Sequence, residues 1–501
     1  MDSAVPTEEQ IILLDGDDVP ESYRVSELIE SNGGQVVHRY GSRVLIGSVP
    51  AEVERGLTSR RGVRSVRAES IGRRVPRLSE AESLGVAAWN LRRSVTYAEA
   101  KAARPLDGER WDPGDVGGPL PPDGPGMVHV DEPEPQGAAF WGTEDMSPYL
   151  IGSVAVGLVI VSGKRADLAF SDEEKAKVVA EVQAGLGWLA TQEPKASVTF
   201  AYDIKTVELD IEPDPALTGY DPLELHWRDP AMQQLGFQTG LGGVRDYVAG
   251  IRKSLGTRWG YAGFFTKYPV QHFAYALKPK IVLQYQNDGW GPDNIDRVFT
   301  HETGHIFGCP DEYASSGCSC STKCGYLREP NGNCQSCASP FVDCLMAANT
   351  FAMCAHTPVQ LGWRDSDADG SLDPVDPVNA PPIDLGALCS RVPVLCQVLG
   401  LGPAAAQAGV AAGRTTVPPP LHESVPLFLL RRVLSDDEMS RVQDALDREE
   451  AEYLDALERK LRTAADSIGA EHRRLTLRAG STATEPSAAG AARPATGRGP
   501  R

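Results

Sequence analysis

Hydrophobic and polar positions fall along the chain in blocks that predict a mixture of strands and helices. The run Ile11-Ile12-Leu13-Leu14 predicts a strand, Ser22 to Ser31 carries helical periodicity, and Gln35 to Val49 reads as two strands turning near Gly41. A helix after Pro50 and a strand at Val63 to Val66 complete a βαββαβ order over residues 8–70, a ferredoxin-like arrangement. Further on, Gly152 to Val161 is almost continuously apolar, as a strand buried on both faces would be. Ser171 and Glu174 form a capping box, and Val178, Val182, Leu186 and Leu189 then recur at helical spacing. Val198, Phe200 and Tyr202 alternate as a strand, and Lys280 to Gln286 reads as another that leads through NDGWGPDNID into a helix. The expected class is α+β, with the larger domain over residues 147–364.

Other stretches predict connections. Residues 100–146, with GGPLPPDGPG at their centre, resist a packed core and read as an exposed linker. Near the other end, Ser435 and Glu438 make a capping box, and Met439, Val442, Leu446, Tyr453, Leu457, Leu461 and Ile468 form an apolar stripe. This predicts a long helix over residues 432–475, able to self-associate, bind a partner or pack on its own domain. Residues 480–501 are small and polar, and are expected to be disordered.

Composition narrows the classes. A net charge of −19 over 501 residues argues against a general nucleic-acid binder, since phosphate contacts need clustered Lys and Arg. No run of about eighteen apolar residues predicts a membrane span. The start MDSAVPTEEQ has neither the basic nor the apolar region of a signal peptide, so none is expected. The cysteines pull the other way, because eight of the ten lie between Cys309 and Cys354. In an extracellular protein such a cluster is a disulfide framework, whereas in a reducing cytosol it would hold metal or stay as thiols. Cys318, Cys320, Cys324, Cys334 and Cys337 therefore either staple a loop-rich insert or take a second zinc, and Cys389 with Cys396 could close a separate loop. Localisation stays open, with the cysteines and an acidic loop described below favouring the outside.

The densest chemistry is HETGHIFGCPDEY, following Thr300. On a helix, His301 and His305 share a face and can grip one Zn²⁺, with Glu302 beside the metal. Gly308 lets the helix end in a left-handed turn, and Asp311 can swing back to the same ion. Glu312 is the rival for that third position.

This pattern resembles the metzincin metallopeptidases, whose signature is HExxHxxGxxH followed by a Met-turn. Asp311 replaces the last histidine, as in the snapalysin type, and carboxylate oxygen is an acceptable zinc ligand. The resemblance implies a zincin-like fold and a zinc endopeptidase acting on protein or peptide. It assigns Met346, in Cys344-Leu345-Met346, to the apolar floor of the Met-turn. Zinc would lower the pKa of a water, Glu302 would act as general base, and Tyr313 could donate to the oxyanion. The strand at residues 280–286 would line the cleft and pair with extended substrate. Two other readings share these residues, a zinc hydrolase of nonpeptide amides and a metal-stabilised binding module with an idle site.

Two further resemblances bear on organisation. GGQVVHRYGSRVLIGSVP is loosely similar to subtilisin-type propeptides, which implies a prodomain that assists folding or plugs the cleft, the alternative being an ordinary structural domain. Asp365, Asp367, Asp369, Asp373 and Asp376 occupy positions one, three, five, nine and twelve of an EF-hand-type loop, with Gly370 at six. Without flanking helices the loop is similar to those of dockerin or thrombospondin repeats, which implies structural Ca²⁺.

Overall fold

A computed structural model describes residues 8–16, 19–72, 75–112 and 146–376. The expected helix 432–475, the Cys389/Cys396 loop, the tail 480–501 and most of the expected linker (113–145) lie outside the described residues.

The protein is a mixed α/β structure built on one large mixed sheet. The first elements are β1 (Glu8–Leu14), α1 (Val19–Glu30), β2 (Gln35–Tyr40), β3 (Val44–Val49), α2 (Ala51–Ser59) and β4 (Val63–Arg67). They pair antiparallel in the order β4-β1-β3-β2, and Ile12, Val25, Ile29, Leu45 and Leu57 close a small core beneath them.

Next come α3 (Glu80–Arg92) and α4 (Val95–Ala102), then β5 (Ser153–Gly163), α5 (Asp172–Thr191) and β6 (Thr199–Leu209). α6 (Tyr220–Gln234), α7 (Gly240–Leu255), β7 (Trp259–Thr266), β8 (Ala274–Leu277), β9 (Lys280–Gln284) and α8 (Ile295–Ile306) follow. β5 pairs parallel with both β6 and β7 and is buried at every position after the first, which explains its unbroken apolar sequence. The capping box at Ser171 and Glu174 starts α5 where periodicity placed it. α3 also opens on a capping box, Ser79 with Glu82, that periodicity alone did not reveal.

The structure departs from two separate domains. β2 pairs parallel with β6 through His38↔Phe200, Arg39↔Ala201 and Tyr40↔Tyr202, so a single nine-stranded sheet runs β4-β1-β3-β2-β6-β5-β7-β9-β8. The Tyr40 and Tyr202 rings stack at 4.5 Å, and the Thr199 hydroxyl donates to Val36 O at 2.6 Å. The propeptide likeness implies a prodomain that assists folding or plugs the cleft, the alternative being an ordinary structural domain; in the structure, main-chain pairing ties this unit to the sheet, on the side opposite β8.

β8 is the second departure. Periodicity reads Lys280 to Gln286 as a strand and the metzincin resemblance implies that it lines the cleft, but β9 is paired on both sides, parallel to β7 and antiparallel to β8. The edge belongs to β8, a four-residue strand too short to register as periodic. Beneath it, Glu224 of α6 binds Arg228, Lys280 Nζ (2.7 Å) and the Tyr275 hydroxyl (2.6 Å), a buried cluster that fixes the edge strand to α6. Among the described residues no helix is long and apolar enough to cross a membrane.

Candidate metal centre

α8 is held from below before it presents any ligand. All its residues are buried except Arg297. Gly185 of α5 makes room for it, since a Cβ there would sit 2.2 Å from Asp296 O. Glu181, fully buried in α5, accepts from Asp296 N at 3.1 Å and is countered by Lys101 and Lys177. Phe299 stacks on Phe265 at 5.5 Å, and Thr303 bonds the Tyr261 hydroxyl at 3.0 Å. The helix is therefore a rigid mount.

From it, three donor atoms converge. His301 Nε2 and His305 Nε2 lie 3.0 Å apart, and Asp311 Oδ1 lies 3.2 Å from each. Tetrahedral zinc with ligands at 2.0–2.1 Å has edges of about 3.3 Å, so this triangle fits the ion with small adjustment. Gly308 ends the helix at φ 92°, and its missing Cβ leaves space for Gly325, which lets Asp311 return. All three residues are buried.

The rear nitrogens are fixed as well. His301 Nδ1 bonds Leu345 O at 3.0 Å and His305 Nδ1 bonds Cys309 O at 2.8 Å, which turns both Nε2 atoms inward. Met346, fully buried, sits under the helix between the histidines, its sulfur 2.8 Å from where a Gly304 Cβ would be. Trp111 escaped the sequence reading because it lies in the stretch taken as linker. It is buried, its ring lies tilted against His301 with centroids 5.1 Å apart, and its indole N–H donates to the same Leu345 O at 2.6 Å. An isolated tryptophan in a Pro- and Gly-rich stretch was the available signal.

Glu302 is buried beside the triangle, and its Oε2 has no hydrogen-bond partner. Burial pushes its carboxyl up, against the pull of His301 and His305. Burial lowers His305, but Asp311 outweighs it and brings the imidazole up to about 9. Tyr313 is also buried in the wall of the cleft, where burial and the nearby Asp311 and Glu302 charges hold its phenol well above its usual range. Trp111, His272, Phe273, Ala274, Tyr275 and Val298 line the remainder of this cleft.

Glu312 points away from the triangle, against Cys354 Sγ at 3.0 Å and Asn333 Nδ2 at 2.7 Å. The rival third ligand is thus part of another group, with Cys344 and Cys354. Burial, followed by the Cys354 charge, holds Glu312 up to about 8. In the insert, Cys318–Cys334 and Cys320–Cys337 form disulfides, while Cys309, Cys344 and Cys354 are buried thiols outside any disulfide.

The acidic loop is only partly gathered. Asp365, Asp367 and Asp369 come together, with Gly370 N donating to Asp365 Oδ2 at 3.1 Å. Asp373 turns inward instead, accepting from Ser366 N at 2.8 Å and pairing with Arg364. Asp376 is buried and stays outside the group of three.

Comparison with protein-family models and with curated proteins returns no match. Among solved structures, the chain matches the crystal structure of metalloproteinase-II from Bacteroides fragilis at 13% identity and a TM-score of 0.22. That match covers 43% of this chain and 51% of the other, so it spans about half of that protein's length.

Proposed function

We propose that this chain is a zinc-dependent endopeptidase of the metzincin type, with His301, His305 and Asp311 as the metal ligands and Glu302 as general base. The observation that carries the reading is the triangle of donor atoms at 3.0–3.2 Å, buried in a cleft with a carboxylate beside it. When bound there, zinc supplies Lewis acidity toward a carbonyl and acidifies water. Glu302, whose buried Oε2 has no hydrogen-bond partner among the described residues, takes a proton from the attacking water and returns it to the leaving amine. Met346 and Trp111 hold the imidazoles in register. Tyr313, in the wall of the same cleft, stabilises the oxyanion.

An extended peptide would add to β8, whose outer edge no strand of the described residues occupies, with Phe273 and Tyr275 beside the scissile bond. Asp365, Asp367 and Asp369 bind a structural Ca²⁺ outside the cleft. The test combines elemental analysis with hydrolysis of a peptide library by the parent and Glu302→Gln. Zinc retained in both, with turnover in the variant lower by roughly 10²–10⁴-fold, is the expected result. Equal turnover in both removes Glu302 from the chemistry and the assignment with it.

A further inference from the structure

We propose that Glu312, Cys344 and Cys354 hold a second, thiophilic metal ion, zinc or a metal of like preference, apart from the histidine and aspartate triangle. The three side chains come from the loop after α8, the Met346 turn and the segment before Thr357. Their donor atoms all lie within 4.8 Å of one another, and all three residues are buried. Neighbouring ligand atoms around tetrahedral zinc with sulfur at about 2.3 Å are roughly 3.5–3.8 Å apart, within reach of a rotamer adjustment.

Charge makes the case independently. The hydrogen bonds given to the Glu312 carboxylate come from Asn333, Cys354 and Thr357, none of them cationic. Glu312 is fully buried and no ion pair to it is seen among the described residues, and buried carboxylates are generally paired or bind metal. The carboxylate is also aimed. Asn333 donates to Oε2 at 2.7 Å and is itself locked by Val342, with bonds of 3.0 and 2.9 Å to its main chain. Cys354 Sγ accepts the main-chain N–H groups of His356 and Thr357, both at 3.4 Å, the kind of outer support that a ligating thiolate needs.

The neighbouring insert closes two disulfides, yet Cys344 and Cys354 remain thiols facing a carboxylate. Sulfur donors select zinc-like ions over calcium or magnesium. The role is positional, since Glu312 follows Asp311 directly and its N–H donates to Met346 O at 2.9 Å. A metal here would pin both the third ligand and the floor of the triangle.

The test is cobalt exchange of the full chain without reductant, so that both disulfides stay closed. Two equivalents of Co²⁺ and a near-ultraviolet sulfur-to-cobalt charge-transfer band are expected, a band that histidine and aspartate cannot produce. Cys344→Ser and Cys354→Ser should each lose the band and one equivalent, and Glu312→Gln should weaken binding of that equivalent at least tenfold. If a serine variant fails to fold, the parent decides through its spectrum and a map of its disulfides. A folded parent with one equivalent and no band overturns the site, as does a Cys344–Cys354 disulfide in the protein as purified. Loss of the peptidase reading would leave the band in place, so the two failures are distinguishable.

Discussion

The histidine and aspartate triangle and the acidic loop after Trp363 both gather metal donors, but they hold them in opposite ways. In the triangle every donor is buried and each imidazole is turned by a carbonyl behind it, so the geometry exists before any ion arrives. In the loop, Asp367 and Asp369 are exposed, Asp365 is paired with Lys195, and Asp373 is occupied by Arg364 and Ser366. Ligand spacing is thus the lesser half of a metal site. The packing that orients each donor and strips it of competing partners sets the strength of binding and what the ion can do.

Removing one carboxylate from each place is the strongest way to break the contrast. Asp311→Ala should end hydrolysis and lower zinc affinity by more than about a hundredfold, beyond the range for outer-shell losses. Asp369→Ala should leave the hydrolysis rate within about twofold, because an exposed loop ligand bears only on local stability. Zinc titration and peptide hydrolysis read both. A triangle indifferent to Asp311 would place the third ligand elsewhere.

Trp111 sharpens the same contrast with a smaller effect. Trp111→Phe keeps a ring against His301 but removes the N–H donated to Leu345 O, the carbonyl that also orients His301. Metal affinity or turnover should fall roughly tenfold, the low end for an outer-shell partner. A variant matching the parent in both would make Trp111 a packing residue only.

Trp111 also marks where the sequence stops being legible. Its function depends on a carbonyl 234 residues away, and neighbouring Pro and Gly suggest only a linker. The β2–β6 pairing and the edge position of β8 share this property. Both are long-range choices, made by which strands meet, and period-2 patterning carries no record of them. What could be read was local: the capping box of α5, the burial of β5, and HExxH on one helix face. Less legible was which of Asp311 and Glu312 turns toward the histidines, because Glu312 is held elsewhere by Asn333 and Cys354, residues distant in the sequence.

Calcium distinguishes the loop from the triangle by stability, with activity as the control. At a tenfold excess over its dissociation constant, Ca²⁺ should raise the Tm of the parent by roughly 2 °C. The rise should vanish in Asp367→Asn combined with Asp369→Asn, while peptide hydrolysis by the parent stays the same. A rise that survives the double substitution would put the calcium somewhere else.

The smallest effect concerns Lys195, whose ammonium sits 2.8 Å from Asp365 Oδ2 and holds that carboxyl below its ordinary range. Lysine and calcium compete for the same carboxylate, and Lys195 is the cation already in place. Lys195→Gln therefore removes a competitor and raises the negative charge of the loop, so calcium affinity should increase on the order of twofold to fivefold at low ionic strength. The gain should fade toward 1 M salt, where the screening length contracts from about 10 Å at 0.1 M to about 3 Å. The equivalent change at the triangle has no counterpart, because no lysine or arginine pairs with Asp311 among the ion pairs of the described residues. Calorimetric titration of Ca²⁺ into parent and variant at two salt concentrations measures it. Unchanged or weaker binding in the variant would show that Asp365 is no calcium ligand, and the loop would then be an acidic turn tied down by Lys195.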